Sequence, residues 1–513
     1  MRQVNLAGVF YQIHSDIISR RINPWKAKLG SGSLTYSDFQ NAEMEEYFDF
    51  RNGIGKKRGV SSDARLDWSE GIDFSVEGQA VLGSKVTTAG SFGVAPVKII
   101  DFEDGTYAIG DSLISKWNTG TSAWDTVDTS LADPIDAIVI TDSTDSYLVV
   151  SSAIDAIYTT DGATWNFITE WASPTGFTDS GVTWNNEANA YDDDTGTNAD
   201  SSVAGDSWSN YLELTIAATY CSRVRFWALY NAATITTIDL DVYYDSAWHD
   251  VYQGAFTNGA WVEKSLGGFY SVTIARVRFY NDDAGFQDVR LYEFDFGKTI
   301  AGYLADYESK LFSITTDGKL VQYSAVKNID DYSGNYELTG DFGTVYDLFE
   351  GKLLSDGTPT LYFCGTKGLY NIDDTNEIAY KQEVAYPPIT NAGNVGIYWN
   401  ANVWVATGYG ILKVAPSVAT FLGPDQDDGL PSGYQGKVYD FATVNNWLVF
   451  CVNGGTTDKS SIMKRNSTLG GNLQVYTTSA TNNPIACIHH SPSSLYTNGR
   501  LWFGEGTDVK YMM

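Results

Sequence analysis

The feature that most constrains this chain is a sentence that it repeats. At positions 302–324 it reads GYLADYESKLFSITTDGKLVQYS: a strand, a short turn, the strand LFSIT, an Asp317-Gly318 turn and the strand KLVQYS. Asp-Gly between two alternating apolar runs is a strong short-range hairpin signal. The pattern recurs at 97–117 (VKIIDFEDGTYAIGDSLISKW) and 135–160 (IDAIVITDSTDSYLVVSSAIDAIYTT). It returns at 345–372, 395–414, 438–465 and 485–512, which makes seven copies. Their spacing is roughly 40 to 50 residues, the blade period of a β-propeller. One interval, between the second and third copies, is far longer, and removing 172–298 as a separate insert restores the period. A hairpin cannot bury its apolar face alone, whereas sheets stacked radially bury one another and leave only short edges. The expected fold is therefore all-β: a seven-bladed β-propeller with an inserted β-sandwich and an extended N-terminal arm. The alternative is an unrelated array of hairpins in a sandwich.

Composition agrees with an all-β chain. Glycine (49) and tyrosine (33) are abundant, and short β-branched and aromatic runs are broken by Gly, Asp and Asn. The expected organisation is an arm at 1–65, propeller at 66–171 and 299–513, and a guest domain at 172–298. A strand from 61–96, around Val76, Ala80, Val81, Val86 and Thr87, is expected to close the ring by completing the last blade, by analogy with other propellers.

The formal charge of −30 repels nucleic acid and anionic membrane. It is uneven: residues 1–65 carry ten Lys/Arg and seven Asp/Glu, so that segment is +3 and the rest −33. A basic arm on an acidic body points to docking on another copy or another chain, through Arg20, Arg21, Trp25, Lys56, Lys57 and Arg58. The competing reading is a solvated tail. Gly53, Gly55 and Gly59 beside Lys56, Lys57 and Arg58 do not form the phosphate-loop pattern GxxxxGK[ST]. The four cysteines show no CxxC spacing and lie in apolar runs, as small buried hydrophobes do. The first residues lack the apolar core of a signal peptide, and no run has the length of a membrane span. The expectation is a protein made in a cytoplasm, with no nucleic-acid partner and no membrane insertion. His489 and His490 are adjacent, so on a strand they face opposite ways and cannot share one metal.

Three segments carry resemblances. YTTDGATW at 158–165 is similar to the Asp-box of sialidase-like propellers, one residue short, with Thr159, Asp161, Thr164 and Trp165 near the pattern. In those folds the box is a structural turn. A glycosidase would also need convergent carboxylates, and the sequence nominates none.

Within the insert the phrase RVRF occurs at 223–226 and 276–279. Alternation puts Val224, Phe226, Val277 and Phe279 on one face and the arginines on the other. Residues 174–296 resemble the discoidin-like (factor 5/8 C-type) jelly roll, a family with many carbohydrate-binding modules. The segment from Ala190 to Thr197 matches that family's A-x-D-G-x-x-x-T, with Asp193 where Gly is usual, and Glu293 matches its late glutamate. The resemblance implies a structural Ca²⁺ held by Asp192, Asp194, Thr197, Glu293 and the Ala190 carbonyl. Oxygen donors suit that ion, and the competing reading is a solvated acidic turn. Trp184, Trp208, Trp248, Trp261 and Phe286 are the candidate sugar-stacking residues, although aromatics of this size also build sandwich cores.

The opening LTYSDFQNAEMEEYFDFRNGIGKKRGV, leading into blades, resembles bacteriophage tail virion proteins. That implies a structural tail component without a secretion signal, docked through its arm to other tail proteins and copies of itself. The guest domain is then free to present a glycan-binding surface to the host, with no bond-breaking step. The alternative is a secreted or cell-surface carbohydrate-binding protein or a sialidase-like glycoside hydrolase.

Overall fold

In the computed structural model the described residues are 84–513, apart from 142–144, 231–232, 330, 332–333, 374–378, 387–391, 409, 425–436 and 467–471. Before residue 84 only the strands Arg2–Leu6, Val9–Ile13, Ile72–Asp73 and Val81–Leu82 are described. The six arm residues Arg20, Arg21, Trp25, Lys56, Lys57 and Arg58 lie outside the described residues, as do Val76 and Ala80.

Seven four-stranded antiparallel sheets follow one another along the chain. The first blade begins at Lys98–Phe102 and the second at Pro134–Thr141. The third to seventh begin at Tyr303–Tyr307, Val345–Lys352, Ala392–Trp399, Val438–Val444 and Ile488–Ser491. These seven innermost strands touch in a closed cycle, the last meeting the first. The protein is therefore a seven-bladed β-propeller. Its seventh sheet is completed by Val86–Ser91, which pairs antiparallel with Asp508–Met512 (Met512↔Val86, Asp508↔Ser91). Propeller ends joined within one blade resist opening, because the ring cannot part without breaking a sheet.

Each seam between blades has its own apolar cluster, and together they account for all seven seams. The seventh–first seam, for example, joins Ala89, Trp502 and Val509 to Ile99, Ala108 and Trp117. The four cysteines are buried free thiols within these cores and the guest core.

The guest lies between the second and third blades. Its core is separate and shares no residue with the seams. Two long strands, Leu212–Ala228 and Ala260–Asn281, run through both layers of the sandwich and pair with each other. Their pairing is interrupted between Thr215 and Thr219 and again between Cys221 and Arg223, the second opposite the stretch that includes Gly267 at φ 71°. A left-handed φ there suits glycine, which has no Cβ to clash. Val224, Phe226, Val277 and Phe279 are fully buried, as their alternation requires. The register puts one end of the sandwich, around residues 216–223, on the ring. The loops 204–206, 229–236, 256–259 and 282–286 lie at the opposite end.

Several contacts fasten the guest. Glu170–Ala172 pairs with the end of the last guest strand (Trp171↔Gly297), and Lys298 bonds Glu170 at 2.9 Å. Arg223, with a side chain only 9% exposed, reaches Asp155 of the second blade at 3.0 Å and lies 4.1 Å over the Phe167 ring. Ser222 donates to Asp155, and Tyr220 donates to Glu337 of the third blade at 2.9 Å. The guest thus straddles the seam between two blades.

Candidate functional site

The acidic loop of the guest follows a short 3-10 turn, Glu187–Ala190, whose last residue is fully buried. Asp193 adopts φ 61°, a left-handed conformation that aspartate tolerates better than most residues. The loop therefore keeps a tight turn where the discoidin-like family usually has glycine. Its amides and hydroxyls converge: Asp194 N–H donates to Glu293 Oε1 at 2.7 Å, and Thr197 Oγ1 donates to Asp192 Oδ2 at 2.7 Å.

Glu293 is 1% exposed, and its Oε2 is buried without a donor. Burial, with Asp192 and Asp295 as acidic neighbours, pushes its carboxyl up to about 8. Asp295 is answered by Arg225 at 2.8 Å; among the described residues Glu293 has no such cation. A buried acceptor beside a second carboxylate is costly unless a positive charge satisfies both. The donor set thus fits a hard cation, with Asp192 and Glu293 as charged oxygens and Thr197 and the loop carbonyls as neutral ones. The Asp194 carboxylate turns away to accept from Gly196 N–H at 2.8 Å, so that residue is placed to serve through its backbone.

The five candidate sugar platforms do not form one patch. Trp184 is 3% exposed, packs at a tilt against Phe279 and donates its indole N–H to the Asn210 carbonyl. It belongs to the core and offers no face to a ligand. Trp208 and Trp248 are the ends of a ladder in which rings alternate with guanidinium groups. Arg276 lies 4.3 Å from the Trp248 ring and 4.1 Å from Tyr211, and Arg278 lies 4.4 Å from Tyr211 and 4.8 Å from Trp208. Asp241 and Asp239 neutralise the two arginines, each at 2.7 Å. Trp261 likewise carries Arg225 at 3.8 Å. Cation–π stacking occupies ring faces that a sugar would need. Phe286 is different: it is 73% exposed, in the loop at the free end of the sandwich.

A second constellation, absent from the sequence reading, sits on the ring axis. Asp136, Asp347 and Asp440, on the inner strands of the second, fourth and sixth blades, line a cavity of about 390 Å³ with Lys98. Each follows a register shift in its blade. Each accepts a backbone N–H from the next blade: Leu304 at 3.0 Å, Gly396 at 2.7 Å and Ile488 at 2.9 Å. Lys98 bonds Asp136 at 2.8 Å. Burial lowers the affinity of Lys98 for its proton, but the three carboxylates outweigh it and hold the ammonium above its usual range. Burial pushes Asp347 up to about 8, with Asp136 and Asp440 adding to it and Lys98 opposing. The repeated tripeptide Val-Tyr-Asp at 345–347 and 438–440 was the available signal.

The turn at 159–164 is structural. The Ala163 and Thr164 amides donate to Asp161 Oδ1 at 2.8 and 2.7 Å, which holds that carboxyl low, at about 2. His489 Nε2 faces Asp101 Oδ2 at 3.0 Å across the seam that closes the ring. Ser491, which accepts from Trp502 Nε1 at 2.9 Å, donates to Asp101 Oδ1 at 2.8 Å.

No protein-family model matches this chain. No curated protein matches it either. Among solved structures, a family 32 carbohydrate-binding module from a family 31 glycoside hydrolase of Clostridium perfringens is similar at 11% identity. It covers 25% of this chain and 96% of its own, with a TM-score of 0.21. The family 32 module of C. perfringens NanJ, solved with galactose, is 12% identical, covers 26% of this chain and 100% of its own, and has a TM-score of 0.21. Sqt1 of Saccharomyces cerevisiae, 11% identical, covers 84% of this chain and 99% of its own, with a TM-score of 0.39. Such identities carry neither a ligand nor an activity across.

Proposed function

We propose that the chain is a binding and assembly protein of a bacteriophage tail, in which a rigid ring holds a glycan-binding jelly roll by its inner end and presents the outer end to the host surface. The observation that carries the binding role is the guest's anchorage. One end is fastened to two blades through Arg223, Ser222 and Tyr220. Its opposite loops stay open and carry Phe286, an exposed ring of the kind on which sugars stack. A Ca²⁺ held by Asp192, Glu293, Thr197 and the carbonyls of Ala190 and the loop would stiffen the acidic turn. The tail assignment rests on the opening segment at 34–60 and on the +3 arm beside a −33 body.

A glycan array probed with the full chain tests the binding role. Binding is expected, without release of sugar, and Phe286→Ala should weaken it by about tenfold, the scale of one lost aromatic contact. Equal binding by the variant would reject these loops as the site. Co-sedimentation with purified tails tests the assembly role: the full chain should bind, and a chain lacking residues 1–65 should not.

The axial carboxylates favour a second reading, a glycoside hydrolase, because Asp347 near 8 has the affinity of a general acid. Against it, all three carboxylates already accept a backbone amide from the neighbouring blade. Turnover of a chromogenic glycoside by the full chain, lost in Asp347→Asn, would establish it.

A further inference from the structure

The axial cavity of about 390 Å³ has the size of a small-molecule site. Besides Asp136, Asp347 and Asp440 it is lined by Asp306 and Glu350, and among the described residues Lys98 is the one cation on its wall. The acids form two sets at different levels. Glu350 lies three residues beyond Asp347 on the same inner strand, and Asp306 lies two beyond Leu304, whose amide bonds Asp136. At about 3.3 Å per residue the second set stands about 7–10 Å further along the axis. Ile138 and Phe349, two residues past Asp136 and Asp347, share the strand face of those carboxylates and line the stretch between the sets.

The first set is tethered but short of positive charge. Asp440 accepts the Phe441 and Ile488 amides at 2.8 and 2.9 Å, one on each oxygen. Asp136 accepts Lys98 and two amides. Asp347 accepts the Gly396 amide at Oδ2, and among the described residues nothing donates to its Oδ1. In the second set, burial and then the neighbouring Glu350 push the Asp306 carboxyl above its usual range. Carboxyls that hold their protons this firmly mark a place where cations are wanting. One metal ion does not answer that want. Among the described residues only Asp239, Asp241 and Asp250 bring three acidic oxygens within 4.8 Å of one another, so the axial set is spread too widely to close on a single ion.

We propose that the axial cavity binds small alkyl diammonium ions, one ammonium at Asp347 Oδ1 among the first carboxylates, the other between Asp306 and Glu350, and the hydrocarbon against Ile138 and Phe349. An extended six-carbon diamine spaces its nitrogens by about 9 Å, within the separation that the strand rise sets between the two levels. A monoamine answers one level only, and an alcohol answers neither. The other titratable groups facing Asp347 are Lys98, Asp136, Asp440 and Tyr303, with His489 of the seventh blade beyond Asp440. Below about pH 8 the incoming ammonium displaces the Asp347 proton, so binding releases protons and strengthens as pH rises.

The test is calorimetric titration of the full chain with hexane-1,6-diamine, against hexylamine, ethane-1,2-diamine and hexan-1-ol at matched ionic strength. Saturable binding of the long diamine is expected, at least tenfold weaker for the two other amines and absent for the alcohol. Its affinity should rise from pH 6 to 8.5, with proton release at pH 7. Asp347→Asn and Glu350→Gln should each weaken it at least fivefold, whereas Lys98→Gln, which removes a competing ammonium, should tighten it. Should Asp347→Asn or Lys98→Gln fail to fold, the exposed Glu350→Gln and the pH series decide. Absence of saturable diamine binding, hexylamine binding as tight as diamine binding, or an affinity that no folded variant changes would each overturn the proposal.

Discussion

Asp347 shares the axial cavity with Lys98, Asp136 and Asp440, so one ammonium serves three carboxylates. Its carboxyl titrates near 8 in the folded chain, against an ordinary value of 3.8. Between those limits the native state holds a proton that the unfolded state has lost, so stability falls as pH rises from about 4 to about 8. Asp347→Asn keeps an oxygen for the Gly396 amide and removes the charge. It should raise stability at pH 8 by about 1–3 kcal/mol and leave it nearly unchanged at pH 4, read by thermal denaturation at both values. Glu293 obeys the same arithmetic with a different consequence. Its carboxyl, also near 8, must lose a proton to bind a cation, so Ca²⁺ affinity should drop as pH falls from 8.5 to 6. Glu293→Gln should abolish any rise in melting temperature caused by Ca²⁺; a full rise in that variant would place the ion elsewhere. The grouping of Glu293 with Asp192 was legible only through the discoidin-like resemblance, and that of Asp347 with Lys98 had no local signal, because the first blade supplies Lys98 from far away in the chain.

At the scale of elements, legibility followed the range of the interaction. Hairpins were visible because Asp317-Gly318 and its counterparts act locally. The RVRF phrases fixed which residues face the guest core, since alternation is also local. The destination of the exposed face was not legible. Arg276 and Arg278 interleave with Trp248, Tyr211 and Trp208, which arrive from two other segments, so tryptophans read as ligand platforms proved to be stacked on arginines. The guest's fastening is an element-scale device with a clear test. Arg223→Ala takes the cation from Asp155, leaving it the Ser222 hydroxyl, and removes the ring contact to Phe167. The expected cost is about 2–4 kcal/mol, with faster proteolysis around 168–172 and 297–300 and a broader small-angle scattering profile. A variant that remains as compact and as resistant as the parent would show that the strand pair at Trp171 and Gly297 suffices.

For the whole molecule, the count of blades came from period and the ring's closure from topology. Seven repeats of similar length imply a closed wheel, because each blade needs two neighbours. Val86–Ser91 then joins the two ends of the propeller within one sheet. Ala89 is buried at that junction, and Ala89→Asp should destabilise the whole ring by about 3 kcal/mol or more while leaving the separately cored guest folded. Two calorimetric transitions, with only the ring's lowered, would show that independence. The most direct measurement of the central claim, a ring that holds and a guest that grips, is a high-resolution structure of the full chain soaked with a glycan identified on the array. Sugar density against Phe286 at the free end of the guest, with the axial cavity unoccupied by sugar, is the predicted result; sugar density between Lys98 and Asp347 would contradict it and make the ring itself the working site.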